Sequence, residues 1–282
     1  MATAQGFWEG RQSLVLTDPL GLKDLAQPAN VRTYILASTQ HGPARLPLAA
    51  HAPFGACAQQ PNPNPATWTM RALLTALTAW VRDGELPPPS SAPRIADGTL
   101  VPADAVHFPA VPANEYGGVR RPAVNFRAET NALHPLDRGP DYDPAHTTGT
   151  ISIEPPRISA GSYNILVPQV DADGNDLAGI RDVYAQVPIS TYAGWNLFRP
   201  DWFGEGLCSL AGSFVPFATT LAERQGTGDP RLSLQERYPA KQAYAEAIRS
   251  AAERLVRQRF MLPEDAERVV AESEANGVRT GP

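Results

Sequence analysis

The side chain best placed for chemistry is His41, which follows "VRTYILASTQ" and precedes Gly42-Pro43. Val31, Thr33, Tyr34 and Ile35 are β-branched or aromatic, so Val31–Ser38 reads as a strand that delivers the imidazole to a turn. A histidine held this way can take a proton from a nucleophile and return it to a leaving group. That role needs a strand to fix the turn and an acid to orient the other ring nitrogen. Pattern alone is weak support, because most histidines that follow strands are bystanders. The matching nucleophile is missing: no Gly-x-Ser-x-Gly elbow occurs in the chain. "SAGSYN" and "LAGSFV" have Gly before Ser but lack the second Gly, and Cys57 has no elbow around it.

Two further constellations invite a chemical reading. "DADGND", Asp171 to Asp176, spaces its carboxylates like a calcium loop. An EF-hand, however, needs Gly at the sixth position and Glu at the twelfth, and here Gly174 is fourth and Asp182 twelfth. A tight turn with positive φ at Gly174 is the better reading. Trp195, Phe198, Trp202 and Phe203 crowd "YAGWNLFRPDWFGEG", either to pack a loop on the core or to line an apolar pocket. His107, His134 and His146 share no ligand-like spacing. No metal site and no cofactor are expected.

Behind these residues stands a chain of 282 residues, 43% hydrophobic, which is enough for a real core. Its 24 Lys and Arg against 29 Asp and Glu contain no basic block beyond Arg120-Arg121, which disfavours nucleic acid as a partner. No apolar run reaches the roughly 18 residues of a membrane span. Nothing in the chain assigns a compartment. Cys57 and Cys208 are the only cysteines. They form one disulfide at most, and their pairing stays open.

The 29 prolines favour loops and short extended pieces, with helices confined to blocks. The segment from His41 to Ala66 holds six prolines and no period. "TWTMRALLTALTAWVRDG" follows as a helix with Met70, Leu73, Leu74, Leu77, Trp80 and Val81 on one stripe. Thr67 or Thr69 can cap its start, and Gly84 suits its left-handed end. "ELPPPSSAP" looks like a boundary. Residues 95–200 read as β and loop, including strands in "GTLV", "YNILVPQV" and "VYAQVPIST". Residues 214–276 read as mainly helical, with a Ser233/Glu236 capping box, a face of Tyr244, Ile248, Ala251, Leu255 and Val256, and Pro263 opening the last helix.

Taken together, "SLVLTDPLG", "NVRTYILASTQHGPA", "RALLTALTAWVRDGELPPPS", "LVPQVDADGNDLAGIR" and "GSFVPFATTLAERQGTGDPRLSLQERY" make the chain resemble the alpha/beta hydrolase domain-containing family, whose members carry a long C-terminal extension. The likeness runs from about residue 7 to about residue 270. It implies an α/β fold and a serine hydrolase acting on an ester-type small molecule, with His41 as the general base. It also implies an elbow upstream of His41, which this chain lacks. The chain is therefore expected to be the C-terminal portion of such a hydrolase, with the missing N-terminal part as its partner. Residues 1–84 would supply the last strand and helix of the core and residues 85–282 the extension. Where the family shows Glu-Tyr-Trp before its "SL…TDP" stretch, this chain has Gly6-Phe7-Trp8, which leaves Glu9 and Asp18 as distant substitutes for the acid. The alternative expectation is a non-catalytic binding or interaction module derived from the same fold, using residues 192–203 as its surface.

Overall fold

In the computed structural model, β1 (Ala2–Thr3) leads directly into the short helix α1 (Gln5–Trp8), and β2 (Ile35–Leu36) runs parallel to β1. The residues described are 1–9, 12–42, 55–116, 118–127, 133–143, 146, 149–159, 161–202, 206–208 and 210–278. The proline-rich stretch at 43–54 and the aromatic Phe203 lie outside them.

The extended run before His41 is real, but its regular ladder is only two residues long. On one side Ala2 N–H donates to the Tyr34 carbonyl (2.9 Å) and Ala4 N–H to that of Leu36 (3.1 Å). On the other, Ile35 N–H reaches the Ser91 carbonyl (2.9 Å) and Ala37 N–H that of Ile180 (3.0 Å). Tyr34 and Leu36 form single parallel bridges to Ser91 and Ile180. The strand therefore has neighbours on both edges, drawn from three distant parts of the chain.

The helix α2 (Thr67–Asp83) lies where the apolar period put it, and Gly84 closes it at φ 72°. Its start and its buried face differ from the sequence reading. Ala66 is the left-handed residue before the first turn (φ 52°), and neither Thr67 nor Thr69 caps it; the Thr67 hydroxyl donates to the Pro65 carbonyl. The helix buries its small face, Thr69, Ala72, Leu73 and Ala76. Met70, Leu74, Leu77 and Val81 stand exposed. Amphipathic periodicity marks a stripe that wants cover, and the described residues of this chain do not provide it.

The chain then passes through β3 (Leu100–Pro102), the hairpin β4 (Asn114–Tyr116) and β5 (Val119–Arg121), the pair β6 (Leu136–Asp137) and β7 (Arg157–Ile158), and β8 (Leu166–Pro168), which returns antiparallel to β3. "VYAQVPIST", read above as one strand, splits into a helical turn, α3 (Val183–Gln186), and a strand, β9 (Ser190–Ala193). The cause is a cap: Asp182 Oδ1 accepts from the amides of Tyr184 and Ala185, both at 3.0 Å, and so starts a helix in a β-prone sequence. β10 (Ser213–Pro216) pairs antiparallel with β9. The helices α4 (Leu221–Thr227), α5 (Leu234–Arg237), α6 (Lys241–Arg257) and α7 (Pro263–Asn276) complete the chain. The expected capping box of Ser233 and Glu236 forms at α5.

The largest apolar cluster joins Tyr34, Leu36, Ala66 and Leu73 to Ile180, Tyr192, Phe214, Ile248, Leu255 and Val269. Residues from both sides of Gly84 thus share one core. A second cluster packs Trp8 and Trp195 on Val167 and Val170, with Phe108 and Phe126 against it. There Trp8, Phe108, Phe126 and Trp195 form five ring pairs at 5.2–5.9 Å, mostly edge-to-face. Trp195 is therefore a core residue, whereas Trp202 is 40% exposed beneath Arg199. Cys57 and Cys208 form a disulfide with Cα atoms 5.6 Å apart, settling the pairing that the sequence left open. No helix among the described residues is long and apolar enough to cross a membrane.

Candidate functional site

His41 stands at the end of a shelf built by Ser38, Thr39 and Gln40. Ser38 is fully buried and adopts a left-handed backbone (φ 56°), a conformation costly for a residue with a Cβ. It is held there from every side. Its amide donates to Asp176 Oδ2 (2.5 Å), and its hydroxyl accepts from the Asp176 amide (2.9 Å). Its carbonyl takes the side-chain amides of Asn62 (2.9 Å) and Asn64 (3.2 Å). Asp176 is itself buried, and that burial pushes its carboxyl up to about 7 against the pull of the Ser38 amide.

Thr39 clamps the shelf to the first helix. Its carbonyl accepts from Gln5 N–H (3.2 Å), and its hydroxyl accepts from Ala4 N–H (3.3 Å) while donating to the Leu36 carbonyl (2.6 Å). Gln40 Oε1 accepts from the Gly212 amide (3.3 Å). Gly212 must be glycine for reasons of space: a Cβ there would lie 2.5 Å from the Ala193 carbonyl oxygen and 2.9 Å from Gln40 Cβ. We expect Gly212→Ala to cost about 2 kcal/mol or more, because backbone on one side and the shelf on the other must both give way. A urea melt that moves by less than ~0.5 kcal/mol would show that the junction yields freely.

The imidazole is exposed, and its Nδ1 lies 3.2 Å from Gln5 Oε1. Gln5 Nε2 in turn donates to Glu9 Oε2 at 2.9 Å, which also accepts from the Leu210 amide at 3.2 Å. Of the two substitute acids, Glu9 connects to His41 through Gln5. Asp18 does not: its oxygens accept from the amides of Leu20, Leu22 and Lys23, which hold its carboxyl below the usual range, the Lys23 bond contributing most. At Gly6 a side chain would have to displace the end of the flexible Gln12 side chain. A Cβ built there would meet Gln12 Cδ at 2.1 Å. The signal for Gln5 and Glu9 in the sequence was only an i, i+4 spacing, which every helix repeats.

"DADGND" is a turn. Asp171 Oδ1 accepts from the amides of Asp173 and Asn175, Gly174 takes φ 79°, and Arg181 and Arg237 neutralise Asp171 and Asp173. Among the described residues no group of three or more His, Cys, Asp or Glu could hold a metal ion. His134 Nδ1 lies 3.0 Å from the Gly161 carbonyl, and His146 Nδ1 lies 2.7 Å from Asp143. A cleft of about 380 Å³ opens beside β10, lined by Gln59, Val124, Asn125, Arg127, Leu197 and Phe198 among others. It includes Ser213, the neighbour of the Gly212 that Gln40 holds.

β2 thus ends in a buried turn, bonded on every side, that presents an exposed imidazole. Residues 17–271 match the family model described as the alpha/beta hydrolase domain, so the chain belongs to that family. No curated protein and no solved structure matches it.

Proposed function

We propose that this chain supplies the base of a serine-dependent α/β-hydrolase site that acts on an ester-type substrate. His41 is its general base, and the nucleophilic serine lies outside these 282 residues. The observation that carries the reading is the shelf: Ser38, Thr39 and Gln40 are all tied down while the His41 ring stays accessible. An imidazole with one nitrogen engaged and the other open is what proton transfer to and from a hydroxyl requires. The partner in this reading is the remainder of the hydrolase core. Its place is the open apolar face of α2, where Met70, Leu74 and Leu77 line a groove of about 620 Å³ together with Tyr34 and Trp80.

The test is complementation. Alone, the chain should neither hydrolyse p-nitrophenyl esters nor label with a fluorophosphonate. Co-expressed with an upstream segment that carries a Gly-x-Ser-x-Gly elbow, it should gain both activities, and His41→Ala should then lower kcat by ~100-fold or more. Fluorophosphonate labelling of a serine within this chain would overturn the placement of the nucleophile.

One observation favours the second reading, a non-catalytic module of the same fold. β2 finds neighbours on both edges within this chain, and the core joins residues from both ends of it. A cooperative melt of the isolated, monomeric chain, with no gain of activity on complementation, is the result that would select it.

A further inference from the structure

We infer that Gln5 and Glu9 are positioning residues that hold His41 in the Nδ1-protonated tautomer, leaving the Nε2 lone pair free. The catalytic meaning of this rests on His41 being the base; the tautomer does not.

An ionised carboxylate accepts hydrogen bonds and cannot donate them. Glu9 Oε2 lies 2.9 Å from one end of the Gln5 carboxamide, so that end must be the NH₂. The opposite end, at 3.2 Å from His41 Nδ1, is then the carbonyl oxygen, which only accepts. Nδ1 must therefore carry a hydrogen, and in a neutral imidazole Nε2 then carries none. The carboxylate thus sets the tautomer of a ring it does not touch, through an amide that cannot turn over without setting its oxygen against the carboxylate.

The geometry makes this relay stiff. Gln5 is 3% exposed, and its amide is fixed to the Thr39 carbonyl at 3.2 Å. Glu9 lies one turn on, its own amide bonded to the Gln5 carbonyl at 3.1 Å. The Leu210 amide holds the carboxylate from the far side. Gly194 allows the approach of the strand beneath, since a Cβ there would lie 2.8 Å from the Gln5 nitrogen. When Nε2 takes a proton from a hydroxyl, the ring becomes a cation with both nitrogens protonated. Its Nδ1–H then points at the Gln5 oxygen, with the Glu9 charge one residue behind. The carboxylate stabilises that cation through the amide dipole instead of by direct contact.

The test reads the tautomer and not the activity. In the full chain labelled with ¹⁵N-histidine, at a pH where imidazole is neutral, the signals lost in His41→Ala identify this ring. They should show a protonated Nδ1 and a bare Nε2, the less populated tautomer of a free histidine side chain in water. Gln5→Met should shift the ring to the Nε2-protonated form. Glu9→Gln should give a mixture, because an amide at position 9 can present either end to Gln5. Circular dichroism confirms that each variant folds; if Gln5→Met does not, Glu9→Gln decides. An Nε2-protonated ring in the parent chain, or an Nδ1-protonated ring unmoved by Glu9→Gln, overturns the relay. The base assignment fails separately. An Nδ1-protonated ring that gives no hydrolysis on complementation keeps the relay and removes the base.

Discussion

Breaking the disulfide, by reduction or by changing Cys57 and Cys208 to serine, should lower the stability of the fold by about 4–5 kcal/mol. The link closes a loop of 151 residues. In the chain-entropy account a loop of that size removes ~5 kcal/mol of freedom from the unfolded state, an upper bound where the reduced chain keeps residual structure. A domain of ordinary stability has only ~5–15 kcal/mol to lose. The consequence reaches the candidate site, because the bridge fastens the segment that begins at residue 55. Ala58 N–H donates to the Leu197 carbonyl (2.7 Å), Arg199 N–H to that of Ala56 (2.8 Å) and Phe214 N–H to that of Gln60 (2.7 Å). Asn62, two residues further on, holds both the Ser38 and the Ala193 carbonyls. Urea melts with and without reductant measure the loss. A difference below ~1 kcal/mol would mean that these backbone bonds hold the segment without the covalent link.

The parts of this fold that could be read from sequence are those whose cause is local. α2, α6 and α7 declare themselves by period. Their ends are set by Gly84 at φ 72°, Pro263 in the first turn and Gly277 at φ 69°. The capping box of α5 is a two-residue code that forms as written. Where the cause is distant, the sequence is silent. Nothing around Ser38 announces a left-handed residue, because what stabilises it is Asp176, 138 residues away. "VYAQVPIST" has strand propensity throughout, yet one buried aspartate before it turns its first half into a helix. The stripe on α2 shows the opposite failure. Periodicity located the apolar residues correctly but could not say that the face buried here would be the small one, Ala72 and Ala76. At the site, His41 was visible because strand, turn and histidine are consecutive. Gln5 and Glu9 were not, because their link to His41 exists only once α1 docks against the end of β2.

The second large effect is a dependence on pH that runs opposite to the usual one. Most carboxylates that matter to a fold are held low, so acid destabilises. Asp176 is pushed up to about 7 by burial, from an ordinary value of 3.8. Between about pH 4 and pH 7 the folded chain therefore keeps a proton that the unfolded chain releases. Folded proteins with such a group lose stability as pH rises across that window, at up to ~1.4 kcal/mol per pH unit and on the order of 4 kcal/mol in total. Below about 4 the group contributes no slope, and above about 7 its penalty is complete. Asp182, pushed up to about 6 by the same cause, adds to the slope over the lower part of the range. Asp176→Asn keeps an oxygen for the Ser38 amide and removes the titration. The difference in unfolding free energy between parent and variant should then shift by about 4 kcal/mol from pH 4 to pH 8, always in the variant's favour, whatever constant offset the amide introduces. Taking the difference cancels Asp182 and every other group that titrates alike in both chains. Denaturant melts at intervals of half a pH unit provide the curve. A parent and variant that stay parallel from pH 4 to pH 8 would mean that Asp176 titrates normally. It would then not be the buried acid, protonated over most of that window, that pins Ser38 and, through it, the shelf under His41.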